Sequence, residues 1–175
     1  ALSSMVANLT FGKKGYERAF KEMKQAAMHA QLLKDDFLRF VDQDTVAFNK
    51  VMEAVRLPKA TEDQKRERDS VVEAATKEAT LVPFQVLEKS VELLNLAQRT
   101  AQKGNRNSLS DAGVAALAAR TAAEGAYYNV RINLPAIRDE EFKARTRRRA
   151  TVLRKRARRL SEDIHKFIDK EFAKL

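Results

Sequence analysis

Cysteine is absent from this 175-residue chain, which excludes disulfides, thiolate metal sites and cysteine nucleophiles together. A cysteine-free chain suits a reducing cytoplasm, the expected compartment. Only three Pro and five Gly are present, so few sharp turns are available. The two histidines, His29 and His165, are too few and too far apart in sequence for a His-based metal cluster, and no metal site is expected. No apolar run approaches the roughly 20 residues that a membrane span needs. An initiator Met is missing too: the chain opens Ala1-Leu2-Ser3-Ser4 without a basic n-region or cleavage site. We read an N-terminus that has lost a segment, not a signal peptide.

Abundant Ala, Leu, Lys, Glu and Arg, all strong helix formers, point to long helices joined by a few loops. The length fits one domain, 1–175, since domains commonly hold about 100–150 residues. The net charge of +10 is local: Arg138 to Arg159 holds eleven basic residues against three acidic ones, +8 of the total.

Leu2, Met5, Val6 and Leu9 repeat at helical spacing until Thr10-Phe11-Gly12 interrupts. A second helix is predicted from about Tyr16 to Arg56, with Tyr16, Phe20, Met23, Ala27, Phe37, Val41, Phe48, Met52 and Val55 as its apolar face, ended by Leu57-Pro58. Thr61 and Gln64 form a capping box for a third helix running to about Lys103, with Pro83 removing an amide donor and bending it. Gly104 to Ser108 is a loop. Ser108 or Ser110 caps a fourth helix, rich in small residues and placed centrally, with Asp111 in its first turn. Leu134-Pro135 ends it. Asp139 to Leu175 forms a fifth helix whose stripe is Phe142, Ala150, Leu153, Ala157, Leu160, Ile164, Phe167 and Ile168. The fold class is all-α, an antiparallel bundle of about five long helices.

Five constellations hold chemistry. Gly12-Lys13-Lys14-Gly15 offers amides and two cations to an anion, though its spacing is not a P-loop and a solvated lysine pair at a turn is the plain alternative. Asp42 and Asp44 interrupt a helix beside Phe40, Val41, Ala47 and Phe48. Partial burial of either would raise its pKa and suit it to proton transfer; exposed acids on a solvated face are the alternative. Gly104-Asn105 with Ser110 and Asp111 reads as a binding loop or as a plain loop and cap. Asn129 and Asn133, four apart, share one helix face flanking Arg131, and serve either a heteroaromatic ligand or the helix end. The Arg-rich stretch invites nucleic acid, but no aromatic interleaves its basic residues, so a solvated face or a site for carboxylate-rich small molecules competes.

The order of these elements resembles the cyclodeaminase domain of the formiminotransferase-cyclodeaminase family, which includes methenyltetrahydrofolate cyclohydrolases. The resemblance rests on Ser4-Met5-Val6 through Thr10-Phe11-Gly12-Lys13-Lys14, Val41 to Phe48, Met52-Glu53-Ala54, Leu57-Pro58-Lys59, Val82-Pro83, Gly104-Asn105, Ser110-Asp111, Gly125 to Leu134 and Phe142 to Arg147. Family members carry a Gly-rich stretch ahead of the Ser-Met-Val element, and this chain does not. The resemblance implies a homodimeric helix bundle with folate bound near the subunit interface. It implies closure of 5-formimino-tetrahydrofolate to 5,10-methenyl-tetrahydrofolate plus ammonia, as in histidine degradation, with methenyltetrahydrofolate cyclohydrolase as the alternative. No cofactor beyond the tetrahydrofolate substrate is expected. Asp42, Asp44 and Asp111 would transfer protons or stabilise cations. Asn129 and Asn133 would hold the pterin, with Asn105, Ser110 and Arg131 also in the substrate site. Lys13, Lys14 and part of the Arg-rich helix would face the folate glutamates. From another class, a basic RNA-binding module or a non-catalytic dimerisation bundle remains, distinguished by steeply salt-dependent affinity or by absence of folate binding.

Overall fold

The computed structural model describes residues 1–174. Among them the regular structure is helical throughout: α1 (Leu2–Thr10), α2 (Phe20–Val55), α3 (Glu62–Lys103), α4 (Leu109–Asn133) and α5 (Glu140–Phe172), with single 3₁₀ turns before α2, α4 and after α4. The all-α expectation holds. Thr61 accepts from the Gln64 amide and Gln64 reaches back, completing the capping box that opens α3, while the Asp139 carboxylate accepts from the Phe142 amide and opens α5. One local expectation fails. Ser108 stands at the start of α4 but makes no side-chain cap; Ser110 lies inside the helix. The side-chain bond forms earlier, where Asn105 accepts from the Asn107 amide. The second helical stretch starts next to Tyr16, as expected, with a 3₁₀ turn at Glu17–Ala19 that runs straight into α2 at Phe20.

Side-chain pairs give the directions of packing. Lys50 with Glu78, Asp36 with Lys89 and Glu22 with Lys103 set α2 antiparallel to α3. Asn133 opposite Ala79, at the far end from the short Gly104–Ser108 connection, does the same for α3 and α4. α3 packs against α2, α4 and α5 and so shares the central place expected of α4. The larger core joins α3, α4 and α5 through Leu87, Leu94, Val130, Leu134, Ile137 and Ile164. On α4 its face is nearly all alanine, Ala112, Ala116, Ala119 and Ala123, so backbones rather than bulky side chains set the spacing. A smaller core, Ala7, Met23, Ala26, Ala30, Leu33 and Leu96, ties α1 and α2 to α3.

α2 departs from its expected face. Its N-terminal half buries Met23, Ala26, Ala30 and Leu33, but beyond Phe40 only Ala47 and Ala54 are buried. That strict seven-residue seam uses a narrow stripe against α3. Val41, Phe48, Met52 and Val55, taken from the sequence as core, therefore stand on its flank and are exposed.

Candidate active site

The narrow seam under the second half of α2 leaves a valley between α2 and α4, floored by α3. Its wider part, about 510 Å³, is lined by Phe37, Phe40, Val41, Asp44, Thr45, Val82, Pro83, Val86, Ala126 and Asn129. A smaller part of about 280 Å³ continues toward the end of α4 and shares Asp44, Pro83 and Asn129, adding Phe48, Val51, Thr76, Ala79, Ile132 and Asn133. One carboxylate and two carboxamides thus line one apolar-floored valley, with Asp44 and Asn129 exposed on its rim, so the partial burial expected of the aspartates is not found in the single chain. The composition is that of a site for a mostly flat, partly polar small molecule.

Of the residues singled out in the sequence, Asp44, Asn129 and Asn133 are brought together here. Asn133 Nδ2 donates to the Ala79 carbonyl at 3.2 Å. Arg131 shares that stretch of α4 but turns away: its Nη1 donates to the Tyr127 hydroxyl at 2.8 Å. Burial pushes the Tyr127 phenol up, yet the hydrogen bond and charge of Arg131, with the charge of Arg154, outweigh it and hold the phenol below its ordinary range.

Asp42 does not join Asp44. Residues two apart lie roughly 200° apart around a helix, and Asp42 faces another cleft on α2, with Arg39, Gln43, Lys50 and Glu78. Asp111 is eighteen residues before Asn129 on α4, about 27 Å away along the axis. It is half-buried and sits with Asn105 and Ser110 at the opposite end of the bundle. A single chain therefore does not gather all three aspartates in one cavity.

That opposite end is closely tied. Gly12 and Gly15 take φ of 78° and 89°, values open to glycine without strain, and fold the turn back so that Lys13 Nζ donates to the buried Asn105 Oδ1 at 2.9 Å. Thr10 Oγ1 accepts from the Asn105 amide at 2.7 Å and donates to the Val6 carbonyl at 2.6 Å. The Tyr16 hydroxyl accepts from the Arg106 amide. Lys13 is thus committed to the fold, whereas Lys14 and Ser110 are exposed.

The basic helix is partly neutralised. Glu124 pairs with Arg154 and Arg158; the Arg158 guanidinium foremost, with Arg154, holds that carboxyl below its usual range. Arg154 also lies 4.4 Å from the Tyr127 ring centroid. Arg149 pairs with Glu88. Arg145, Arg147, Arg148, Lys155 and Arg156 have no ion-pair partner among the described residues. No three His, Asp or Glu side chains gather as a metal site among the described residues, and no helix there is long and apolar enough to cross a membrane. Sequence reasoning put Phe37 on the apolar face, Phe40 beside the aspartates and Pro83 at a bend, and missed that the three line one valley; the proline inside a helix was the available signal.

The model of the Formiminotransferase-cyclodeaminase family matches residues 1–152. A methenyltetrahydrofolate cyclohydrolase of Methylorubrum extorquens is 39% identical over 142 residues, 81% of this chain and 68% of that protein. The formimidoyltransferase-cyclodeaminase of Rattus norvegicus is 34% identical over 90% of this chain, and that of Gallus gallus 32% identical over 99% of it, but the chain spans only 29% and 32% of those proteins. A crystal structure of formiminotetrahydrofolate cyclodeaminase from Thermotoga maritima superposes with a TM-score of 0.87 at 27% identity, covering 98% of this chain and 81% of that one. The ordered motifs, the five-helix bundle and these likenesses agree, and the chain belongs to the formiminotransferase-cyclodeaminase family.

Proposed function

We propose that this chain closes 5-formimino-tetrahydrofolate to 5,10-methenyl-tetrahydrofolate with release of ammonia, as a cytoplasmic homodimer needing no cofactor beyond the folate. The observation that carries the reading is the valley over Pro83, where Asp44 faces Asn129 and Asn133 across an apolar floor. In the reaction N10 of the substrate attacks the formimino carbon on N5, forming a C–N bond. The amino nitrogen of the tetrahedral aminal takes up a proton and leaves as ammonia, and the methenyl product keeps a delocalised positive charge. A fixed carboxylate beside that carbon stabilises the cation better than water does, because it needs no reorganisation, and holding N10 against the carbon removes much of the entropic barrier. Asp44 is the carboxylate of the valley. Asn129 supplies both donor and acceptor to a pterin edge, and Phe37, Phe40 and Pro83 supply its flat surroundings.

The homodimer would supply what one chain keeps apart. Leu38, Val41, Phe48, Met52 and Val55 on α2, with Val114, Leu117, Tyr128 and Ile132 on α4, are all more than a third exposed. Burying a side chain of this kind contributes about 1.5–3 kcal/mol, and a second copy laid on these faces would cover the valley's rim. Antiparallel placement would carry the Lys14, Ser110 and Asp111 end of one subunit toward the Asp44 end of its partner. Exposed cations of α5 would then meet the folate glutamates.

The cyclohydrolase reading is favoured by the M. extorquens relative, which is matched over two thirds of its length against less than a third for the vertebrate proteins. Water then attacks the methenyl carbon in the same valley. Parallel assays decide: ammonia released from 5-formimino-tetrahydrofolate supports cyclodeamination, hydrolysis of 5,10-methenyl-tetrahydrofolate alone transfers the assignment, and neither activity ends the folate reading.

A further inference from the structure

Pro83 has no amide hydrogen, so the carbonyl four residues earlier, that of Ala79, loses its helical donor. α3 nevertheless continues through this position, and Pro83 is buried. Ala79 itself is half-buried, and a carbonyl shielded from water and left without a donor is destabilising and almost always finds another partner. Here the partner comes from a different helix: Asn133, fifty-four residues away at the last position of α4, donates its Nδ2 to Ala79 O at 3.2 Å. The bond fixes more than the helix. A carboxamide presents an acceptor on one side and donors on the other; with Nδ2 turned to the Ala79 carbonyl, Oδ1 must lie on the other side. Asn133 Oδ1 has no protein donor among the described residues, and the residue lines the smaller part of the valley beside Asp44 and Asn129.

We infer that Asn133 is a positioning residue: its amide replaces the donor that Pro83 lacks, and this locks Oδ1 as an acceptor for an N–H group of the ligand. The pair Pro83–Asn133 thereby sets the register of α4 on α3 at the valley and the hydrogen-bond polarity of its wall. The ligand half of this inference rests on the folate reading; the link between Pro83 and Asn133 does not.

A double-mutant cycle tests both halves in the full chain. Asn133→Ala lowers the melting midpoint by several degrees in the wild-type background, on the order of 3–6 °C for a stranded carbonyl in a protein of this size. In the Pro83→Ala background the new amide satisfies Ala79 O, and the same substitution lowers it by no more than about 1 °C. Asn133→Asp, which leaves no cavity but cannot donate while ionised, gives the same dependence on residue 83. With the folate substrate, Asn133→Ala raises KM about tenfold while kcat stays within about threefold, the signature of a lost uniform contact. Equal midpoint losses in both backgrounds overturn the inference whatever the folate assays give. A dependence on residue 83 with KM unchanged overturns the acceptor role. A wild-type chain inactive on both folates that still shows that dependence removes the folate reading and leaves the Pro83–Asn133 link standing.

Discussion

The two ends of α4 are built on opposite plans. At its N-terminal end four side chains are spent inside the chain: Thr10, Lys13, Tyr16 and Asn105 knit α1 and the following turn to the α3–α4 connection. Gly104 packs so tightly there that a Cβ would lie 2.3 Å from the Thr100 carbonyl oxygen and 2.8 Å from Val6. At its C-terminal end α2 touches the bundle through a seam of small residues and leaves a carboxylate, two carboxamides and a row of exposed apolar side chains around an open valley. One end spends these side chains on stability, whereas at the other Asp44 and Asn129 have no side-chain partner among the described residues and Asn133 is bonded only through Nδ2. Chemically similar residues, Asn105 and Asn129, therefore differ: the first is tied into the fold and the second is not.

The contrast breaks most visibly at the aspartates. Asp44→Asn keeps the shape but removes the charge, and kcat for ammonia release falls by about 10²–10³, whereas Asp42→Asn, in its separate cleft, stays within a few-fold of wild type. Equal effects of the two substitutions would dissolve the distinction between the clefts. If the site is shared between subunits, mixing Asp44→Asn and Asp111→Asn chains, each inactive alone, restores roughly a quarter of wild-type activity, because half the dimers are mixed and each then has one intact site. No recovery after verified subunit exchange would confine the site to one chain. At the closed end, Thr10→Val strands the buried Asn105 amide and lowers unfolding free energy by about 1–3 kcal/mol in denaturant titration, with kcat little changed. The smallest effect concerns acid. Glu124, held below its ordinary range by Arg158 and Arg154, contributes stability that is present above the unfolded glutamate pKa and lost as pH falls through the lower folded value. Glu124→Gln removes that part of the acid dependence, worth less than about 1 kcal/mol for a surface pair, in midpoints recorded between pH 6 and roughly pH 3.

The helices were legible because each rests on local rules: the Thr61–Gln64 box, the Leu57-Pro58 and Leu134-Pro135 stops, and the stripe of α5, whose core positions Ala150, Ala157, Ile164 and Ile168 are buried as read. The site was legible in part. Asn129 and Asn133 share a helix face by spacing alone, and Asp42 and Asp44 stood out together as acids amid apolar neighbours, with nothing in the sequence to choose between them. What misled was equating apolar with buried along α2: Val41, Phe48, Met52 and Val55 have the right period, yet the seam beside them, with its two alanines, is the one that meets α3.

The sequence by itself determined that this chain is a bundle of five helices and, to within a few residues, their extents, because capping, periodicity and proline act over a few residues. It also determined family membership through ordered motifs. Only the tertiary structure decided that Asp42 and Asp44 serve different clefts, that Lys13 and Asn105 are committed to each other, and that Asn133 answers for Pro83. Those outcomes depend on how one helix is rotated and slid against another, and that is set by the packing of side chains fifty or more residues apart.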